Sequence, residues 1–300
     1  MVNVQLSARS STRQNRTGWL FVGPYLLLLI VFGATPAAFA IFESFDQSAH
    51  SGGLGVENYL NSFTDFRFLP ALGNVSLFMI IWIPIMMIGT IALALLLHER
   101  INRSTAVLRF VYFMPGAVTG SASVLLWYFM LDPALSPFSA ALHTLGFHTT
   151  NDVFESSNLP WIFALVAFVT GVGQWVIIMF GAFQGIPEEL LEAARMDGAS
   201  PIRIAISIKV PLIAKYILYM LILAFAAGIQ IFVEPSLFYS ITAAGSQWWS
   251  LNQLAFVFAF QQGDFGSAAT ISILLLVLSL IGALILVFKT NFFKTEASKE

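Results

Sequence analysis

The sequence predicts an all-α polytopic membrane protein with six transmembrane helices and both termini cytoplasmic. Three observations predict it. Hydrophobic residues make up 58% of the 300 residues and charged residues only 10%, against about a quarter charged in soluble domains. Six apolar runs each approach the roughly 20 residues that cross a bilayer as a helix. Of the 14 Lys and Arg residues, all but Arg67 fall near the two ends or after the second and fourth runs, which sets the orientation.

In chain order, residues 1–18 carry Arg9, Arg13 and Arg16 without an acid and are expected as a disordered cytoplasmic tail. Residues 19–42 form the first span. A basic start, an apolar core and Ala38-Phe39-Ala40 also resemble a secretory signal, but the run continues through Ile41 and Phe42, which favours an uncleaved anchor. Residues 43–70, with Glu43, Asp46, Glu57 and Asp65, form an outer loop. The second and third spans cover 71–97 and 110–131, with Arg100, Arg103 and Arg109 between them. Residues 132–160 are an acidic outer loop, 161–183 the fourth span and 212–233 the fifth. Residues 234–266 are a further outer loop, in which Leu251 to Phe260 is too short to cross and reads as an interfacial or re-entrant helix. The sixth span is 267–288, and 291–300 is a cytoplasmic tail.

The segment 184–211 is polar and carries strong helix signals. Pro187 suits a first helical turn, and Glu188 and Glu189 follow where carboxylates meet the positive end of the helix dipole. Leu190, Leu191, Ala194 and Met196 give an apolar stripe. Gly198 can end this helix in a left-handed conformation, and Ser200-Pro201 starts a second. The alternation of Ile202, Ile204, Ile206 and Ile208 reads as strand on period alone. A lone strand beside a bilayer would leave its backbone unpaired, so helix–turn–helix is expected.

No catalytic constellation is present. His50, His98, His143 and His148 have no metal-ligand spacing, and there is no P-loop or nucleic-acid motif. Zero cysteines exclude disulfides and thiolate metal sites. An integral membrane enzyme would need paired carboxylates or a metal cluster, and Asp132, Asp152 and Glu155 are too scattered for that. Polar residues at membrane depth are few: Asn74, Gln174 and Gln230, with Glu234 at the outer end of the fifth span. Such groups face a bundle interior or a cavity. Helix packing and solute contact are the two readings for each. Gly116-x-x-x-Gly120 with Ser121 and Ser123, and Gly181-x-x-x-Gly185, are expected as helix-packing faces.

Glu192-Ala193-Ala194, three residues, Gly198, nine residues, then Ile208-x-Val210-Pro211 resembles the EAA loop of the inner-membrane permeases of ABC importers. Val210 replaces the usual Leu, and Lys215 stands where many members have a second Pro. Gly55-Val56-Glu57-Asn58-Tyr59-Leu60, Ile231-Phe232-Val233-Glu234-Pro235 and Gly263-Asp264-Phe265-Gly266-Ser267-Ala268-Ala269 resemble the carbohydrate-uptake branch, related to maltose and glycerol-phosphate permeases. The usual Gly-Gly-Pro after the fifth span reads Ala244-Gly245-Ser246 here.

The resemblance implies a permease domain over 19–290 in the bacterial cytoplasmic (inner) membrane. It implies a second, homologous permease chain, two ATPase subunits that bind ATP and magnesium, and an extracytoplasmic solute-binding protein or lipoprotein. No cofactor on this chain and no nucleic-acid partner are implied. Glu192, Ala193, Ala194, Asp197, Gly198 and Pro211 would couple to the ATPases. Gln174, Gln230 and Glu234 would line the solute pathway. A path of amides and aromatics suits a neutral sugar or polyol. Glycerol phosphate or another small anion is the alternative, and would favour a fixed positive charge at mid-span.

Overall fold

The computed structural model describes residues 11–47, 52–99, 103–118 and 120–289, and among these it is helical with no strand beyond one isolated bridge, Asp46 to Leu54. Five helices are long and apolar enough to cross a membrane, or six if one bent pair is a single span.

α1 (Ser11–Leu29) passes through a π turn, Ile30–Ala34, into α2 (Thr35–Phe45). The helix therefore begins inside the tail expected to be disordered, because extending an existing helix adds a hydrogen bond per residue without a new nucleus. Residues 1–10 and 290–300, the rest of the expected tails, lie outside the described residues. α3 (Glu57–Thr64) precedes α4 (Phe68–Glu99), the second span.

The third apolar run is not one straight crossing. α5 (Arg103–Ala117) and α6 (Gly120–Leu131) meet at 106°. Pro115 lacks the backbone N–H a continuous helix uses, and Gly120 sits at φ +62°, a conformation that favours glycine. This corrects the expected Gly116–Gly120 face, since the two glycines lie on different helices. Gly116 still packs closely: a Cβ there would lie 2.6 Å from the Thr170 carbonyl oxygen. Gly181 faces open space instead, so no packing partner meets it among the described residues.

Short helices α7 (Ser139–Thr144) and α8 (Thr150–Val153) lead to α9 (Leu159–Gln184), the fourth span. α10 (Glu188–Met196) and α11 (Pro201–Ile204) follow, then a second π turn, Ala205–Lys209, and α12 (Val210–Leu212). The fifth span is α13 (Ala214–Ile229) and α14 (Val233–Thr242) around a break at residues 230–232. Helix thus extends into the expected 234–266 loop, because Glu234 and Pro235 restart it in a first turn that suits both residue types. α15 (Leu251–Phe256) continues into a third π turn, Val257–Gln262, and α16 (Phe265–Lys289) is the sixth span. Asp264 starts it by accepting the Ser267 N–H at 2.9 Å.

α4, α9 and α13 form the centre, where Phe78, Phe163, Phe183, Met86, Met179 and Met220 are fully buried. Half of the most apolar stretch of α9 is buried, against none of that of the first span.

Polar ties gather at the end of the bundle opposite α10. Asn58 donates to the Ser44 and Asp46 carbonyls at 3.2 and 2.9 Å. Asn74 donates to the Trp249 carbonyl at 3.1 Å, so it holds the bundle together. Arg67 makes two 2.8 Å side-chain bonds to Asp65 and lies over the Phe258 ring at 4.8 Å. These bonds hold the Asp65 carboxyl below its ordinary range.

Candidate functional site

Two features stand apart from the packed core. The first is a cavity of about 370 Å³ at the two broken spans. Val118 and Gly120 reach it from the break between α5 and α6, Ser123 from α6, Thr170 and Gln174 from α9, and Glu234 from the start of α14. Interrupted helices at membrane depth are tolerated where they line a cavity or are covered by protein. One free carbonyl at the fifth-span break, that of Gln230, accepts the Asn252 amide at 3.0 Å. A second cavity of about 400 Å³ shares Gly171 and Gln174 with the first and is walled by Trp82, Trp175 and Tyr219.

The cavity brings Gln174 and Glu234 together but does not include Gln230. Gln230 is exposed, so the structure does not bring it to the cavity with the other two. Ser123, Thr170 and Tyr219 were missed as pathway candidates. Hydroxyls inside spans were the available signal, and it is a weak one because such groups usually bond their own backbone, as Thr170 does to the Val166 carbonyl at 2.7 Å.

The first cavity can offer hydroxyl, amide and carboxyl groups, and the second, which shares Gly171 and Gln174 with it, aromatic faces. No Lys or Arg is among the lining residues of either cavity. No group of three or more His, Asp or Glu able to hold a metal ion occurs among the described residues.

The second feature is the arm made by α10, α11 and the π turn after them. Pro187 is the N-cap of α10. The helix ends as expected: Gly198 is left-handed at φ +78°, its N–H bonds to the Arg195 carbonyl, and the Ala199 N–H bonds to the Ala194 carbonyl, each at 3.0 Å. This is the double bond pattern of a Schellman stop. Ser200 caps α11 by accepting the Arg203 N–H at 3.3 Å, and the isoleucine run is helical.

Glu192, Ala193, Asp197, Gly198 and Pro211 are exposed and Ala194 is half-buried. The expected apolar stripe of α10 divides, and so does the isoleucine run after it. Leu191 is buried, while Met196 is 88% and Ile202 73% exposed. The arm therefore buries one side and leaves apolar side chains on the other. One arm residue that sequence reading passed over is Lys209, buried and bonded to Glu99 at 3.2 Å.

Comparison with known proteins agrees with this architecture. The sequence signature of the binding-protein-dependent transport system inner membrane component matches residues 24–290. A probable ABC transporter permease protein, YurN of Bacillus subtilis (strain 168), is 27% identical over 287 residues, 92% of this chain and 96% of its own length. The multiple sugar-binding transport system permease protein MsmF of Streptococcus mutans is 25% identical over 270 residues, 87% of this chain and 90% of its own. In fold, the chain is similar to a solved structure from a bacterial ABC transporter involved in import of the acidic polysaccharide alginate. The TM-score is 0.77 at 16% identity, over 95% of this chain and 98% of that one.

Proposed function

The chain belongs to the family of inner-membrane components of binding-protein-dependent transport systems, and from that premise we propose that it forms half of the import pathway for a neutral sugar or related polyol. Membership makes it a transport component and not an enzyme. In this reading a second, homologous permease supplies the other half, and a solute-binding protein delivers cargo outside. Two ATPase subunits, which bind ATP and magnesium, sit against the arm. Both termini and the arm are cytoplasmic, consistent with Arg195, Arg203, Lys209 and Lys215 at that end.

The observation that carries the coupling role is the arm itself, with Met196 and Ile202 exposed at a bundle end that carries basic residues. Side chains of that kind outside lipid mark a surface that another protein covers. Small Ala193 beside the sharp Gly198 turn lets a partner cleft approach the backbone of α10. The solute class rests on the cavity. Sugars are held by hydroxyl, amide and carboxyl groups over aromatic faces, and the Ser123, Gln174, Glu234, Trp82 and Tyr219 set matches that chemistry. Glycerol phosphate or another anion would meet a carboxyl where it needs a cation.

The test is uptake by the complex reconstituted with its partners, using labelled neutral oligosaccharides and glycerol phosphate in parallel. Neutral solute alone should enter. Glu234→Ala and Gln174→Ala should each raise the half-saturating solute concentration roughly tenfold, the effect of losing one or two polar contacts. Gln230→Ala should leave it unchanged. Uptake of glycerol phosphate alone would overturn the solute class, and no uptake of either would remove the transport reading.

A further inference from the structure

The arm meets the bundle through one buried cation, and we infer that Lys209 is the positioning residue that ties the arm to the inner ends of spans two, three and four. The inference rests on the coupling role proposed above.

Lys209 is 3% exposed, and lysine is rarely buried unless paired. It closes the π turn Ala205–Lys209. Its Nζ donates to Glu99 Oε1 at 3.2 Å and lies 3.2 Å from His98 Nδ1, residues 110 and 111 positions earlier in the chain. These are the last residues of α4, where unpaired carbonyls and the helix dipole both attract a cation.

The knot extends further. The His98 ring packs against Phe180 and Phe183 of α9, with centroids 6.1 and 5.8 Å apart. Arg109 of α5 lies over the same Phe180 ring at 4.3 Å. Spans two, three and four therefore meet the root of the arm at one point.

The other buried residues of the arm are Leu191 and Ile204, both outside the bundle's hydrophobic core. Apolar contacts are non-directional and tolerate sliding. A charge-assisted hydrogen bond fixes direction and distance. Displacement of α10 and α11 by a partner is thus passed to the end of α4 through Lys209, rather than lost in a sliding contact.

The experiment uses the complete reconstituted complex with its binding protein. Lys209→Met keeps side-chain length and removes the charge. Assembly and basal ATP hydrolysis should stay near the unmodified level, while solute uptake and binding-protein-stimulated hydrolysis fall about tenfold, a typical size for a lost coupling. Lys209→Arg should retain most of both.

A Met variant with unmodified stimulation overturns the inference while the transport reading stands, because the unmodified complex still imports. If Lys209→Met fails to reach the membrane, Glu99→Gln replaces it, since that carboxylate is half-exposed and the change is nearly isosteric. The same loss of stimulation is expected there, and unchanged stimulation in Glu99→Gln again overturns the inference.

Discussion

Two short helices connect spans at opposite ends of the bundle, and their apolar residues meet opposite fates. In α15, Leu251 and Leu254 are fully buried, with Gln253 bonded back to Ser250 in a capping box. In α10, only Leu191 is buried, and Met196 stands 88% exposed. Both helices are short, capped at one end and of mixed polarity, so local sequence does not separate them. What separates them is company: α15 packs on α16 and α4, whereas α10 has one side covered by its own chain and the other side left bare. The first helix completes a fold, and the second offers a surface.

That contrast predicts different kinds of damage. The largest effect is expected from Ala193→Trp on the exposed side of α10. Uptake should be lost while unfolding stability in detergent changes by no more than roughly 0.5 kcal/mol, as for other surface substitutions. Normal uptake by this variant would erase the contrast. Leu254→Ala should do the reverse, costing about 2–5 kcal/mol because it leaves a void in the core, seen as a lower thermal midpoint and less protein in the membrane.

Gly198→Val falls between. A branched side chain at φ +78° costs roughly 1–2 kcal/mol locally, enough to misdirect α11 and impair uptake while the spans remain folded.

The smallest effect sharpens the far end. Asp65, bonded to Arg67, has its carboxyl held below the ordinary 3.8. A carboxylate whose folded pKa is depressed stabilises above the unfolded value, and the contribution is lost as pH falls through the folded value. The native chain should therefore lose stability below about pH 4 more steeply than Asp65→Asn, which lacks the contribution throughout. Parallel thermal midpoints of the two proteins across that range would remove Asp65–Arg67 as an acid-sensitive tie.

Much of this was legible in the sequence where the cause is local. Pro187, Gly198 and Ser200 each act within a few residues, and the arm follows from them. The second, fourth and sixth spans followed from apolar length alone. The 106° break in the third run was written in Pro115 and Gly120, but a small-residue spacing suggested a helix face instead, and only the observed φ of Gly120 decides between them. The separation of Gln230 from Gln174 and Glu234 was not legible, because it depends on how α13 and α14 are offset at a break. Lys209 was hidden for the plainest reason: its partners lie on another span, far back in the chain.

The π turns carry a consequence for insertions and deletions. Each of Ile30–Ala34, Ala205–Lys209 and Val257–Gln262 holds a slightly wider coil than its flanks, so each is a place where one residue can be removed and an ordinary α-turn left behind. A π turn fits its extra residue into one widened turn, so removing that residue leaves the flanking phase nearly as it was, whereas the same deletion in an α-helical stretch rotates everything beyond it by about 100°. At Ile30–Ala34 the helix surface around the turn is largely exposed, so a rotation of either size would be absorbed. At Ala205–Lys209 a single deletion within the turn would leave the ammonium group aimed at Glu99 and His98, whereas the same loss in an α-helical stretch of the arm would swing it away. The chain's tolerance of length change is therefore set less by where a loop lies than by which helical phase the following residues must keep.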